Sequence, residues 1–134
     1  MYILSGSIYG LLSIILGAFG AYALKKIISL EKVQSFEVGV RYMMYHALAL
    51  LILGYILDFT NGIEKNAVRF IIIGTFLFSF SIYLLAFSEK ISIPTKILGP
   101  ITPLGGLFMI SGWALLVYYF SKFISDFGTL CLLI

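Results

Sequence analysis

The first 24 residues, MYILSGSIYGLLSIILGAFGAYAL, carry no charged side chain. A bilayer core of about 30 Å is crossed by roughly 20 helical residues, so this run constrains the fold more than any other feature. Residues 38–57, 67–87 and 102–120 are apolar runs of similar size. In lipid each run must satisfy its own backbone N–H and C=O groups, and runs this long do so as helices. The chain has 134 residues, 61% of them hydrophobic and 11% charged, where a soluble domain has about a quarter charged. So short a chain buries too small a share of its surface to hide that much apolar area from water. The expected fold is an all-α, integral membrane four-helix bundle. It forms a single domain over residues 1–134, with spans at 3–24, 38–57, 67–87 and 102–120 and an apolar tail over 121–134.

The connecting segments set the topology. KKIISLEKVQSFE (25–37) predicts a short interfacial helix, capped by Ser29 with Glu31 in its first turn. DFTNGIEKN (58–66) reads as a tight turn built on Asn61-Gly62, which makes the second and third spans antiparallel neighbours. Arg69 lies near enough to an end of the third span to snorkel. SEKISIPTK (88–96) forms the next connection, and Thr102 is placed as N-cap of the fourth span with Pro103 as its first helical residue. Four spans put both termini on one side of the membrane. One side carries Lys25, Lys26, Lys32, Arg41, Lys90 and Lys96, the other Lys65, Arg69 and Lys122. The positive-inside rule therefore makes the first side cytoplasmic and points both termini outward. Ala21-Tyr22-Ala23 mimics a signal-peptidase site, but the basic n-region is missing and the apolar run is long for a signal peptide. The net charge of +3 is scattered through the connections, which speaks against nucleic acid as a partner. Cys131 is the only cysteine, so an intrachain disulfide and a thiol metal cluster are both excluded. The terminal CLLI matches a prenylation box, but an apolar tail explains it, and a multi-span protein gains little from another anchor.

Gly6, Gly10, Ser13, Gly17 and Gly20 recur at helical spacing in the first span, placing small residues on one face. The fourth span adds Gly105, Gly106 and Gly112. Small residues let helix backbones approach closely in lipid, where no hydrophobic force draws helices together. Packing within the bundle and a homo-oligomer interface both fit this pattern.

Four motifs carry a resemblance: GAFGAYALK (17–25), GVRYMMYHALALL (39–51), FSFSIYLL (78–85) and LGPITPLGG (98–106). Together they resemble those of the small bacterial membrane proteins grouped as domain of unknown function family 423, over about residues 3–120. The resemblance implies a four-helix protein of the bacterial cytoplasmic membrane. It implies no cofactor and no reaction, since the family has no established activity; some members are associated with membrane stability. Two positions depart from the family's pattern, Tyr22 where a histidine is usual and Met43 where a glutamine is frequent. A polar relay built on those residues would lack two members here, which favours structural or lipid-contact roles.

All four motifs fall in the half of the membrane read as cytoplasmic. At 1.5 Å per helical residue, His46 lies about 12 Å inside the second span counted from residue 38. Ser81 and Ser79 lie about 9 and 12 Å inside the third span counted back from residue 87. His46 is expected neutral in that low dielectric, with Ser79 or Ser81 as its hydrogen-bond partner and Tyr42 one turn away. No paired carboxylate, nucleophile–base motif or set of metal ligands is legible, so a lipid-processing enzyme is the weakest reading. Arg41 lies near the rim, four residues after Glu37, and with Lys25 and Lys26 is placed to meet lipid phosphate. Thr102 and Gly105 surround the expected free N–H groups of the fourth span, a second anion contact. The leading expectation is a non-enzymatic membrane protein that supports envelope integrity through lipid or protein contacts. The alternative is a small transporter or an ion or proton pathway through His46.

Overall fold

A computed structural model describes residues 1–88, 90 and 95–132. Every regular element in them is helical: α1 (Tyr2–Tyr22), a one-turn 3₁₀ helix (Leu24–Lys26), α2 (Leu30–Ile56), α3 (Gly62–Ala86) and α4 (Thr95–Leu132). All four α-helices are long and apolar enough to cross a membrane. Their outward faces are large and apolar, including Leu11 and Ile14 of α1, Leu48 and Ile52 of α2, Phe76 of α3 and Ile110 of α4. The interior holds Leu24, Val33, Phe36, Leu50, Val68 and Ile71. An inside as apolar as the outside is the pattern of a bundle solvated by lipid.

The helix ends differ from the sequence-based expectation in four places. The charged stretch after α1 is not a helix of its own. After the 3₁₀ turn the chain enters α2 at Leu30 and runs unbroken to Ile56, with Ser29 at the N-cap position and Glu31 in the first turn. Nothing in LEKVQSFE breaks a helix, so the interfacial and spanning parts fuse. Asn61 does not form the centre of a turn but caps α3. Its Oδ1 accepts from Ile63 N (3.0 Å) and Glu64 N (3.1 Å), and the Glu64 carboxylate accepts from Asn61 N. This is a capping box, readable in NGIE. The reversal falls at Phe59, whose φ of 53° is left-handed and whose ring packs on Tyr2 at 4.3 Å. Thr102 is not a cap either, because α4 is already helical from Thr95 and contains Pro100 and Pro103. These prolines leave the carbonyls of Lys96 and Gly99 without helical donors, tolerable near the membrane edge where water and headgroups can serve them. Finally, α4 continues through the stretch expected as a separate tail, to Leu132. The side chain of Cys131, the last two residues and most of the 88–96 connection lie outside the described residues.

The helices pack as α1 on α2, α2 on α3 and α3 on α4. The glycine face of α1 is used within the bundle. A Cβ on Gly6 would meet Ala47 O at 2.9 Å and one on Gly20 the Phe36 ring at 3.2 Å, while Gly10 and Gly17 face Ala47 and Val40 at ordinary contact. On the other side α3 and α4 touch backbone to backbone. A Cβ on Gly105 would lie 2.5 Å from Phe78 N, one on Gly74 2.6 Å from Met109 N, and one on Gly112 2.8 Å from Ala67 O. Of the two neighbours expected to pack, Gly105 does, in place of the anion contact also expected of it, and Gly106 faces open space. One residue is a rotation of about 100° on a helix, and glycine spacing alone does not choose between neighbours. Gly105→Ala and Gly74→Ala are expected to destabilise the bundle by about 1–3 kcal/mol each, as overpacking does. Gly106→Ala should change it by less than about 0.5 kcal/mol. Unfolding of the purified variants in mixed micelles measures the difference.

Candidate functional site

His46 projects from α2 towards α4 and is almost fully buried. Its Nδ1 lies 2.7 Å from the carbonyl oxygen of Tyr42, one turn earlier, and its Nε2 lies 3.3 Å from Nε1 of Trp113 in α4. An indole N–H only donates, so Nε2 must be the acceptor and carry no proton. The proton then sits on Nδ1 and is donated to the Tyr42 carbonyl. This network assigns one neutral tautomer to the ring. It also answers a problem posed by Trp113 itself, whose N–H lies deep in a membrane where water offers no partner. The two residues satisfy each other.

The expected partners of His46 are engaged elsewhere. Ser79 Oγ donates to Gly39 O of α2 at 3.0 Å, seven residues before His46. Ser81 Oγ lies 2.8 Å from Thr102 Oγ1 of α4 and 2.9 Å from its own helix carbonyl at Phe78. The close approach of α3 to α2 explains the first bond, since a Cβ on Gly39 would lie 2.8 Å from the Tyr83 ring. Equal depth does not imply equal azimuth. Ser79 and Ser81 are two residues apart on a helix and face different neighbours.

Around the imidazole, Tyr42, His46, Phe78, Gly106, Met109 and Trp113 line a groove of about 600 Å³. It exists because α2 and α4 both pack on α3 and not substantially on each other, leaving Phe78 as a floor between them. Ring contacts run along it, Phe78 to Tyr42 at 5.0 Å, Tyr42 to His46 at 6.3 Å and His46 to Trp113 at 6.3 Å. The remaining expected site residues are not part of this cluster. Arg41 is exposed and its Nε donates back to Glu37 O at 3.4 Å. Lys25 and Lys26 are exposed on the 3₁₀ turn. Thr102 and Gly105 lie inside α4, where no free N–H groups converge, so they form no anion site at a helix start. A different cation is engaged at that level: Lys32 Nζ donates to Leu85 O near the C-terminus of α3 at 3.3 Å. Sequence reasoning missed Trp113, Lys32 and Gly39. Trp113 had one readable signal, an indole near the middle of a span with no polar residue beside it.

Residues 16–106 match the family described as "Protein of unknown function (DUF423)". The chain belongs to this family. It is 36% identical to a UPF0382 membrane protein of Staphylococcus haemolyticus over 92% of this chain and 98% of that relative. It is 37% identical to the UPF0382 membrane protein YwdK of Bacillus subtilis, again over 92% and 98%. A UPF0382 membrane protein of Schizosaccharomyces pombe is 38% identical over 78% of this chain and 88% of its own length. No solved structure matches. The chain is thus a multi-pass membrane protein of the DUF423 family. Its two departures from the expected family pattern have different surroundings, Tyr22 being exposed and Met43 buried with its Sδ 3.8 Å from the Tyr83 hydroxyl.

Removing the indole donor leaves a buried ring nitrogen unpaired. Trp113→Phe and His46→Leu are each expected to lower stability by about 0.6–2 kcal/mol, the range of interhelical hydrogen bonds in membranes. Because both remove the same bond, their effects should not add, and a double-mutant cycle of unfolding in micelles reads that coupling.

Proposed function

We propose that this chain is a non-enzymatic protein of the bacterial cytoplasmic membrane that supports membrane integrity through contacts with lipids and neighbouring proteins. The observation that carries the reading is His46, with both ring nitrogens bonded inside the bundle. A proton pathway needs groups that pass a proton onward, and here three buried serine hydroxyls are held in local bonds, while Thr75 Oγ1 is buried with no partner to pass a proton to. Ser13 bonds to Tyr9 O, Ser79 to Gly39 O and Ser81 to Thr102. Along the inner face of α3, the fully buried Ala67, Val68 and Ile71 separate Glu64 from Thr75 and Ser79. That apolar stretch interrupts any polar line through the helix.

The orientation follows the charges, with Lys25, Lys26, Lys32 and Arg41 at the cytoplasmic face and both termini outside. Exposed Lys25, Lys26 and Arg41 then meet the anionic inner leaflet, each adding about 1 kcal/mol of attraction. The glycine stripe of α1 is occupied by α2, so any association of copies would use the outward apolar faces.

In liposomes loaded with a pH gradient, the native protein is expected to leave the decay rate at that of protein-free vesicles. Faster decay that His46→Ala abolishes would contradict the reading. In a bacterium stripped of its own family member, expression of this chain should slow entry of a membrane-impermeant dye.

A further inference from the structure

The groove between α2 and α4 has properties that bundle packing does not require. Its wall residues are aromatic or aliphatic apart from His46 and the phenol of Tyr42, and none of them is charged. Its size, about 600 Å³, is that of a small-molecule pocket rather than a packing defect. It opens sideways to lipid: Trp113 and Tyr42 are 45% and 42% exposed although they flank a buried histidine. Gly106 lies at one end with nothing within 4 Å of an added Cβ, so the groove is widened where a side chain would have filled it.

The polar groups specify what fits. The Tyr42 hydroxyl makes no hydrogen bond among the described residues, leaving a donor without a partner. The Trp113 N–H is already donated to His46 at 3.3 Å. The acceptor nitrogen of His46 is already occupied by that N–H. The groove therefore offers one free donor, the Tyr42 hydroxyl, has no charged lining residue and presents flat faces at Tyr42, Phe78 and Trp113. At Trp113, counting back from Lys122, the groove lies about 13 Å below the membrane edge, too deep for a charged phosphate, although Tyr42 lies only about 6 Å inside its span counted from residue 38. An acyl tail reaches that depth but has no flat face to lie on Phe78 and Trp113, and its ester carbonyl is the one acceptor that competes at Tyr42.

We infer that this groove binds a flat, neutral, lipid-soluble molecule bearing a carbonyl acceptor, the chemistry of a prenyl quinone. Its ring would lie against Phe78 and Trp113, with the Tyr42 hydroxyl donating to a carbonyl oxygen and the tail leaving along α4 towards lipid. The inference goes beyond the structural role proposed above and does not depend on it.

Trp113 is the chain's only tryptophan, so its emission reports the groove directly. The full chain in phospholipid nanodiscs is titrated with a decyl-substituted benzoquinone. Quenching should saturate, and Gly106→Leu or Ala114→Leu, which fill the groove from open positions, should remove the saturable part. Either variant serves alone, provided its circular dichroism and melting match the native protein. Tyr42→Phe should weaken the apparent affinity roughly three- to tenfold, the worth of one hydrogen bond. Quenching that rises linearly with probe and is unchanged by groove filling would overturn the site. Equal saturable quenching by a brominated-acyl phospholipid, or unchanged affinity in Tyr42→Phe, would overturn the carbonyl-bearing ligand.

Discussion

Lipid gives helices no hydrophobic reason to associate, so this bundle depends on how closely its backbones can approach. The closest approaches to another helix's backbone are those between α3 and α4. Gly74, Gly105 and Gly112 bring α4 onto α3, and Gly39 brings α2 onto its other side. With α3 clasped from both sides, α2 and α4 are held apart over Phe78. The groove between them follows from that arrangement, as does the bond from His46 to Trp113 that crosses it.

The same economy governs the polar side chains. A buried polar group in lipid has no water to fall back on, so bonding inside the bundle is at a premium, and among the described residues Thr75 Oγ1 and Glu64 Oε1 are the buried atoms that lack it. Tyr9 reaches across from α1 to Ile72 O of α3 at 2.9 Å, Ser79 ties α3 to α2, and Ser81 ties α3 to Thr102 of α4. These bonds tie α3 to each of the other three helices.

What could be read from the sequence was whatever depends on one helix at a time. Uncharged runs of membrane length announced the four spans, and the spacing of Gly6, Gly10, Gly17 and Gly20 announced the packing face of α1. Depth along a helix was also legible, and His46 does lie far inside α2. Azimuth was not. Choosing Gly105 over Gly106, or Trp113 over Ser79 as the partner of His46, requires knowing how helices are rotated about their axes. That rotation is set by contacts between residues up to 67 positions apart. Thr102 misled for a different reason: a Thr-Pro pair looks like a helix start, yet near the membrane edge a helix can run through two prolines because the freed carbonyls remain within reach of water.

The central claim is that His46 is a neutral cross-link whose Nε2 is an acceptor for Trp113. As the only histidine in the chain, it gives an uncrowded spectrum when the protein is labelled with ¹⁵N-histidine and placed in bilayers. The account predicts one protonated ring nitrogen, Nδ1, and one bare nitrogen, Nε2, at about pH 8. A proton on Nε2 with Nδ1 bare would contradict it.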